Sequence, residues 1–149
     1  MTKGEKGLWI LVIAAALHVV EEYLLDWRSW ARGLSGVPVQ WDLFYAVNTG
    51  FLFLAIGAAC LGWKRPSVSL ALPALVLING LVFHVGPTLV PRQLSPGVVS
   101  SVVLYLPIGV WVYLRAAREG VLTRRVAVAS VLLGASIMCL PLALIAAIR

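Results

Sequence analysis

The sequence predicts an all-α integral membrane bundle of five transmembrane helices, and three observations carry that prediction. Hydrophobic residues fill 61% of the 149 positions and charged residues only 12%. A soluble domain is nearer half apolar and a quarter charged. Five apolar runs each approach the roughly 20 residues needed to cross a bilayer. The basic residues gather in the short segments between those runs. A soluble chain of this length could not hide so much apolar surface, and a mean hydropathy of +0.96 agrees. A single transmembrane domain spanning 1–149 is expected.

The runs are placed at about 7–25, 43–62, 68–90, 98–114 and 126–148. The first has a basic start and Ala14, Ala15 and Ala16, which resemble a cleavable leader. It is read as a span, because four more follow and it carries the most unusual residues of the chain. Lys3, Lys6, Lys64, Arg65, Arg115, Arg118, Arg124 and Arg125 fall on one side of the bundle, and Arg28, Arg32, Arg92 and Arg149 on the other. Eight against four places the N-terminus in the cytoplasm and the C-terminus outside, in the cell membrane. Trp27, Trp30 and Trp41 then mark the outer interface, and Trp9, Trp63 and Trp111 the inner one. The long outer loop 26–40 contains Trp-Arg-Ser-Trp-Ala-Arg, a pattern suited to a short amphipathic turn on the membrane surface. The net charge of +6 does not imply nucleic acid, since no basic stripe with interleaved aromatics occurs. Cys60 and Cys139 lie in apolar runs without a CxxC and are expected to be buried free thiols.

The chemistry lies in the charges that should not be in lipid. The first span contains His18, Glu21 and Glu22. At i,i+3 and i,i+4, both carboxylates share a helix face with the imidazole. An ionisable group at that depth costs several kcal/mol and faces a bundle interior or a cavity. Two adjacent glutamates there cannot both be comfortably ionised, so a shared proton or a bound cation is expected. With the alternating directions of the spans, Tyr45, Asn48 and Thr49 of the second, His84 of the third, and Ser100, Ser101 and Tyr105 of the fourth fall in one outer layer on the order of 10 Å thick. Asn79 lies about 140° around its helix from His84, at about 7.5 Å greater depth. It either floors the same cavity or bonds another helix. Pro73, Pro87, Pro107 and Pro141 are expected to kink their helices and free carbonyls toward a cavity.

His18-Val19-Val20-Glu21-Glu22 matches the motif that names the HXXEE family of small bacterial membrane proteins of unknown function, which the chain resembles through its first three-quarters. Asn79 to His84, and Arg92 followed by Ser95-Pro96-Gly97, look like the later motifs of that family. The His18 and Glu22 pair also resembles the intramembrane site of emopamil-binding-type sterol isomerases. Those are longer and carry a glutamate on a second span that is not matched here. Small membrane terpene cyclases likewise use intramembrane carboxyls as acids.

Three functions follow as expectations. The first is an enzyme acting on a lipophilic, isoprenoid- or lipid-like molecule by acid–base chemistry, an isomerase or cyclase. His18, Glu21, Glu22, His84 and Asn48 would be catalytic, and Tyr45, Thr49, Asn79, Ser100 and Tyr105 would bind substrate. The second is a metal-dependent enzyme with zinc or iron on His18, Glu22 and His84. A ferritin-like di-iron site is excluded, because it needs two Glu-x-x-His units. The third is a proton-coupled transporter or lipid-binding protein. Five spans are few for a lone transporter, so that role would require a homo-oligomer or a partner.

Overall fold

The computed structural model describes residues 1–36, 38–90 and 92–147, with the side chains of 34, 35, 142 and 144–147 outside that description. Ile148, expected to end the last span, and Arg149, counted on the outer side, lie outside the described residues. Among the described residues six longer helical stretches account for the fold, with a 3-10 turn Gly62–Lys64 after the third: α1 Lys3–Leu24, α2 Trp27–Ser35, α3 Trp41–Leu61, α4 Pro66–Leu89, α5 Val98–Arg118 and α6 Arg124–Ala147. No strand occurs among the described residues. All but α2 are long and apolar enough to cross a membrane, so the expected spans are present, each within a few residues of its predicted bounds.

Local chemistry sets the ends. Thr2 caps α1 in a reciprocal box with Glu5: the Glu5 amide donates to the Thr2 hydroxyl at 3.2 Å, and the Thr2 amide donates to the Glu5 carboxylate at 2.8 Å. Pro66 opens α4 at the first turn, where a missing N–H is harmless. Asp26 turns the chain with a φ of +46° and caps α2 through Ser29. That short helix realises the amphipathic stretch read from the sequence.

α1 packs between α3 and α5, while α4 closes the bundle against both and carries α6 on its outer side. α4 is the most enclosed span and α6 the least. The approach of α4 and α6 needs Gly134, where a Cβ would stand 2.9 Å from the Leu75 amide nitrogen and 3.0 Å from the Ala71 carbonyl oxygen. The core comprises Leu8, Leu11, Leu70, Val76 and Val112, with small alanines that let helices approach.

At the N-terminal end, two acids tie three segments together. Glu119 accepts from the Thr2 hydroxyl (2.6 Å), the Gly4 amide (3.0 Å) and the Trp63 indole (2.7 Å), and Glu5 accepts from the Trp63 amide (3.1 Å). The cysteines depart from expectation. Both are free, but they sit exposed on α3 and α6. On the outer face of a membrane bundle a thiol still meets an apolar solvent, so burial in protein is not required of it.

Two spans are widened rather than simply kinked. In α4 the Gly86 amide bonds the Leu81 carbonyl, and in α5 the Leu106 amide bonds the Ser101 carbonyl, both five residues back. Each π-turn ends just before a proline, Pro87 or Pro107. Widening relieves the clash of the ring with the carbonyl four residues earlier. It also re-aims the side chains within the turn, His84 in one and Ser101 to Tyr105 in the other.

Candidate functional site: a buried His–Glu–His centre

α1 brings His18 and Glu22 to its inner face, one turn apart, and the wide turn of α4 swings His84 against them. All three are buried, at 3%, 7% and 1% exposure. Glu22 Oε1 stands 3.6 Å from His18 Nε2 and 3.5 Å from His84 Nε2. The imidazole rings meet edge to face at 4.7 Å, and Tyr105 lies 4.4 Å from the His18 ring on its other side.

The other nitrogen of each ring is held by a serine, Ser95 from the α4–α5 loop or Ser100 from the first turn of α5. His18 Nδ1 bonds Ser100 Oγ at 2.8 Å, and His84 Nδ1 bonds Ser95 Oγ at 3.0 Å. The Ser100 hydroxyl also donates to the Gly97 carbonyl at 3.2 Å, and the Ser95 hydroxyl to the Pro96 carbonyl at 3.3 Å. A hydroxyl has one hydrogen. With that hydrogen on the carbonyl, each serine oxygen accepts from Nδ1–H, which leaves a lone pair on both Nε2 atoms. Neither Nε2 has a hydrogen-bond partner among the described residues.

Gly97 lets this junction lie over the rings. Its φ is +95°, and a Cβ there would stand 2.7 Å from Cε1 of both His18 and His84. The junction is pinned by Glu21. Its carboxylate accepts from the backbone N–H groups of Gly97 (3.1 Å), Val99 (3.1 Å) and Ser100 (2.7 Å), capping the N-terminus of α5. The two adjacent glutamates therefore face different partners. Glu21 serves a helix end, where orphan amides favour a carboxylate, and Glu22 serves the imidazoles.

The centre opens into a cavity of about 240 Å³ that continues into one of about 110 Å³. Asn48, Asn79 and Glu22 line both parts, while Phe51, Leu75 and Met138 supply apolar wall. Leu54 of α3 and Leu140 of α6 also line the larger part, yet they are 52% and 59% exposed. The cavity thus reaches the side of the bundle between those helices. Asn48 donates to the Phe44 carbonyl of its own helix at 3.0 Å, so it is no cross-helix tie. Asn79 floors the cavity and also reaches Met138 Sδ at 3.8 Å, a weak contact that leaves its carbonyl oxygen unpartnered.

Of the residues singled out from the sequence, His18, Glu22, His84, Asn48, Asn79, Ser100 and Tyr105 converge here. Tyr45 and Thr49 do not. Both are exposed, and Tyr45 stacks on Trp41 and lies near Tyr23. The cavity-facing stripe of α3 runs through Val47, Asn48, Phe51 and Leu54 instead. Arg28 does not pair with Glu22. It lies 4.0 Å from the centre of the Trp41 ring and 3.7 Å from Asp26. Ser95, Gly97, Met138 and Pro141 were missed as site residues. A serine spaced to reach a histidine across a loop leaves no periodic signal.

The family model for proteins of unknown function with an HXXEE motif matches residues 9–112. The chain belongs to the HXXEE family. Neither a curated protein nor a solved structure matches it. In this member the HXXEE motif comprises two devices on one helix turn. The histidine and second glutamate form the buried centre, and the first glutamate holds the loop that covers it.

Proposed function

We propose that this protein is an integral membrane enzyme that acts on a lipophilic, isoprenoid- or lipid-like molecule by proton transfer at the His18–Glu22–His84 centre. One observation carries the reading: three buried ionisable groups meet where two parts of a largely apolar cavity join, His18 and Glu22 lining the larger part that opens sideways and His84 the smaller, so that a membrane-dissolved molecule would enter beside them. Structural ion pairing does not require such a space. Glu22 and the imidazoles hold the transferable proton in a low-dielectric site, where acid–base groups act without competition from bulk water. The Asn48 and Asn79 amides and the Tyr105 hydroxyl line the cavity and supply hydrogen bonds to developing charge. Glu21 leaves the expected catalytic set and acts by positioning. With the basic residues in the cytoplasm, the centre lies in the outer half of the cell membrane.

The test uses a membrane lipid extract as substrate. Purified wild type and Glu22→Gln are incubated with it, and products are followed by chromatography and mass. An isomerase or cyclase changes retention at constant mass, in wild type only. An extract left unchanged by wild type would overturn the proposal.

A further inference from the structure

We infer that His18, Glu22 and His84 bind a divalent metal ion of the zinc or ferrous-iron class through His18 Nε2, His84 Nε2 and a Glu22 carboxylate oxygen. Only the ion's catalytic role rests on the enzymatic reading above, with solvent held on the ion then carrying the transferable proton in place of the three side chains; its binding does not.

The hydrogen-bond logic of the centre leads there. Each Nδ1 bonds a serine hydroxyl that also reaches a backbone carbonyl, and the tautomer with Nδ1–H donating to the serine oxygen satisfies all of these groups at once. In that tautomer both Nε2 atoms carry lone pairs and lie 3.6 and 3.5 Å from one carboxylate oxygen, with no hydrogen bond to either nitrogen among the described residues. A single carboxyl proton could satisfy one lone pair and leave the other facing an acceptor. One cation among the three satisfies them all. Bonds of about 2.0–2.1 Å in a tetrahedral site place neighbouring ligand atoms about 3.4 Å apart, close to both observed separations. One donor atom from each residue lies within 4.8 Å of the others.

The surroundings fit the same reading. A ligating imidazole normally gives its other N–H to a carboxylate, carbonyl or similar acceptor, which fixes the tautomer. Ser95 and Ser100 fill that role here. Two imidazoles and one carboxylate favour zinc or ferrous iron over magnesium or calcium, which prefer oxygen. Glu21 is held by three amides and is not a further ligand. Three protein ligands leave a coordination position facing the cavity, where Tyr105 presents a buried, unpartnered hydroxyl.

The experiment loads chelator-treated, detergent-purified full-length protein with Co²⁺, followed by visible absorption, and with Zn²⁺, followed by elemental analysis. Wild type is expected to take up about one equivalent per chain with the intense bands of a low-coordinate cobalt site. Glu22→Gln and His84→Gln are expected to bind at least about 100-fold more weakly, and Ser95→Ala and Ser100→Ala about 10–100-fold more weakly. Far-ultraviolet circular dichroism and detergent gel filtration identify variants that remain folded. A readout on wild type alone is independent of them: bound Zn²⁺ protects His18 and His84 from diethylpyrocarbonate. Wild type that takes up neither ion, or a folded Glu22→Gln that binds like wild type, would overturn the site. Lipid turnover by wild type without uptake of either ion would remove the metal and keep the enzyme. Uptake with no lipid turnover would keep the metal and remove the enzyme.

Discussion

Replacing Gly97 by alanine separates backbone strain from pressure on the centre. Two effects act at this position. A non-glycine residue held at positive φ costs about 1–2 kcal/mol. A Cβ only 2.7 Å from two imidazole carbons adds an overpacking cost of about 1–3 kcal/mol. Neither neighbour can easily give way. The loop is fixed by the Gly97 amide on Glu21, and each ring is fixed by its serine. Together they give about 2–5 kcal/mol. Gly120 is the control, with a φ of +72° and nothing within 4 Å of an added Cβ. Its replacement by alanine should therefore show the strain alone.

The assay is thermal unfolding in detergent, followed by circular dichroism. At about 2–4 °C per kcal/mol, Gly97→Ala should melt on the order of 10 °C below wild type, and Gly120→Ala about 2–8 °C below. Co²⁺ affinity supplies the second readout. It should fall in Gly97→Ala, whose rings are displaced, and stay unchanged in Gly120→Ala. Equal melting losses and unaltered cobalt binding in both would refute the claim that this loop packs on the two histidines.

Further outcomes follow from the same contacts. Glu21→Ala strips the acceptor from three amides at the start of α5 and should cost about 2–4 kcal/mol of stability, seen as a lower melting temperature. Glu22→Gln keeps the size and polarity of the side chain and should not lower the melting temperature of metal-free protein, although it removes turnover and weakens cobalt binding at least about 100-fold. Gly134→Ala forces a Cβ against the α4 backbone and should destabilise by about 1–3 kcal/mol in the same melt, whereas Gly57→Ala, with open space at its Cβ, should be neutral or stabilising. For Glu119, burial pushes the carboxyl pKa up, but bonds from Thr2, Trp63 and Gly4 outweigh it and hold the value below the usual 4.5. The stabilisation is therefore full above the ordinary glutamate value and is lost as pH falls through the lowered one. Melting of wild type should drop more steeply than that of Glu119→Gln as pH is taken from about 5.5 to about 3.

The spans were legible because lipid imposes one rule on every residue of a helix, and hydropathy sums it. The polar layer was legible for a related reason. His18, Asn48, His84 and Tyr105 are anomalies against an apolar background, and their depth follows from a rise of 1.5 Å per residue. Azimuth was harder. A straight 3.6-residue helix puts Tyr45 and Thr49 beside Asn48, but the stripe that faces the cavity is set by how α3 packs on α1 and α4, which no local pattern records. The π-turns of α4 and α5 were invisible for the same reason. Pro87 and Pro107 announced a disturbance, not whether it would be a kink or a widened turn.

The roles of the two glutamates show what the residue list alone could not separate. Adjacent on one helix, they differ by 100° of azimuth, and that angle decides which electrostatic partner each meets. Glu21 meets the otherwise unpaired amides of a helix start, an environment that suits a hydrogen-bond acceptor. Glu22 meets two imidazole nitrogens, 3.6 and 3.5 Å from one of its oxygens, an environment that suits a cation shared among the three groups. Their adjacency also couples them. The loop that Glu21 anchors carries Ser95, Gly97 and Ser100, which together set the tautomer and the packing of both histidines. A defect at Glu21 should therefore reach the centre through the loop. Glu21→Gln keeps one carbonyl acceptor, so any loss of cobalt affinity should be small beside that of Glu21→Ala, and both should be partly recovered where low temperature holds the loop in place. Direct ligation by Glu21 predicts a different pattern: Gln and Ala would be equally deficient at every temperature.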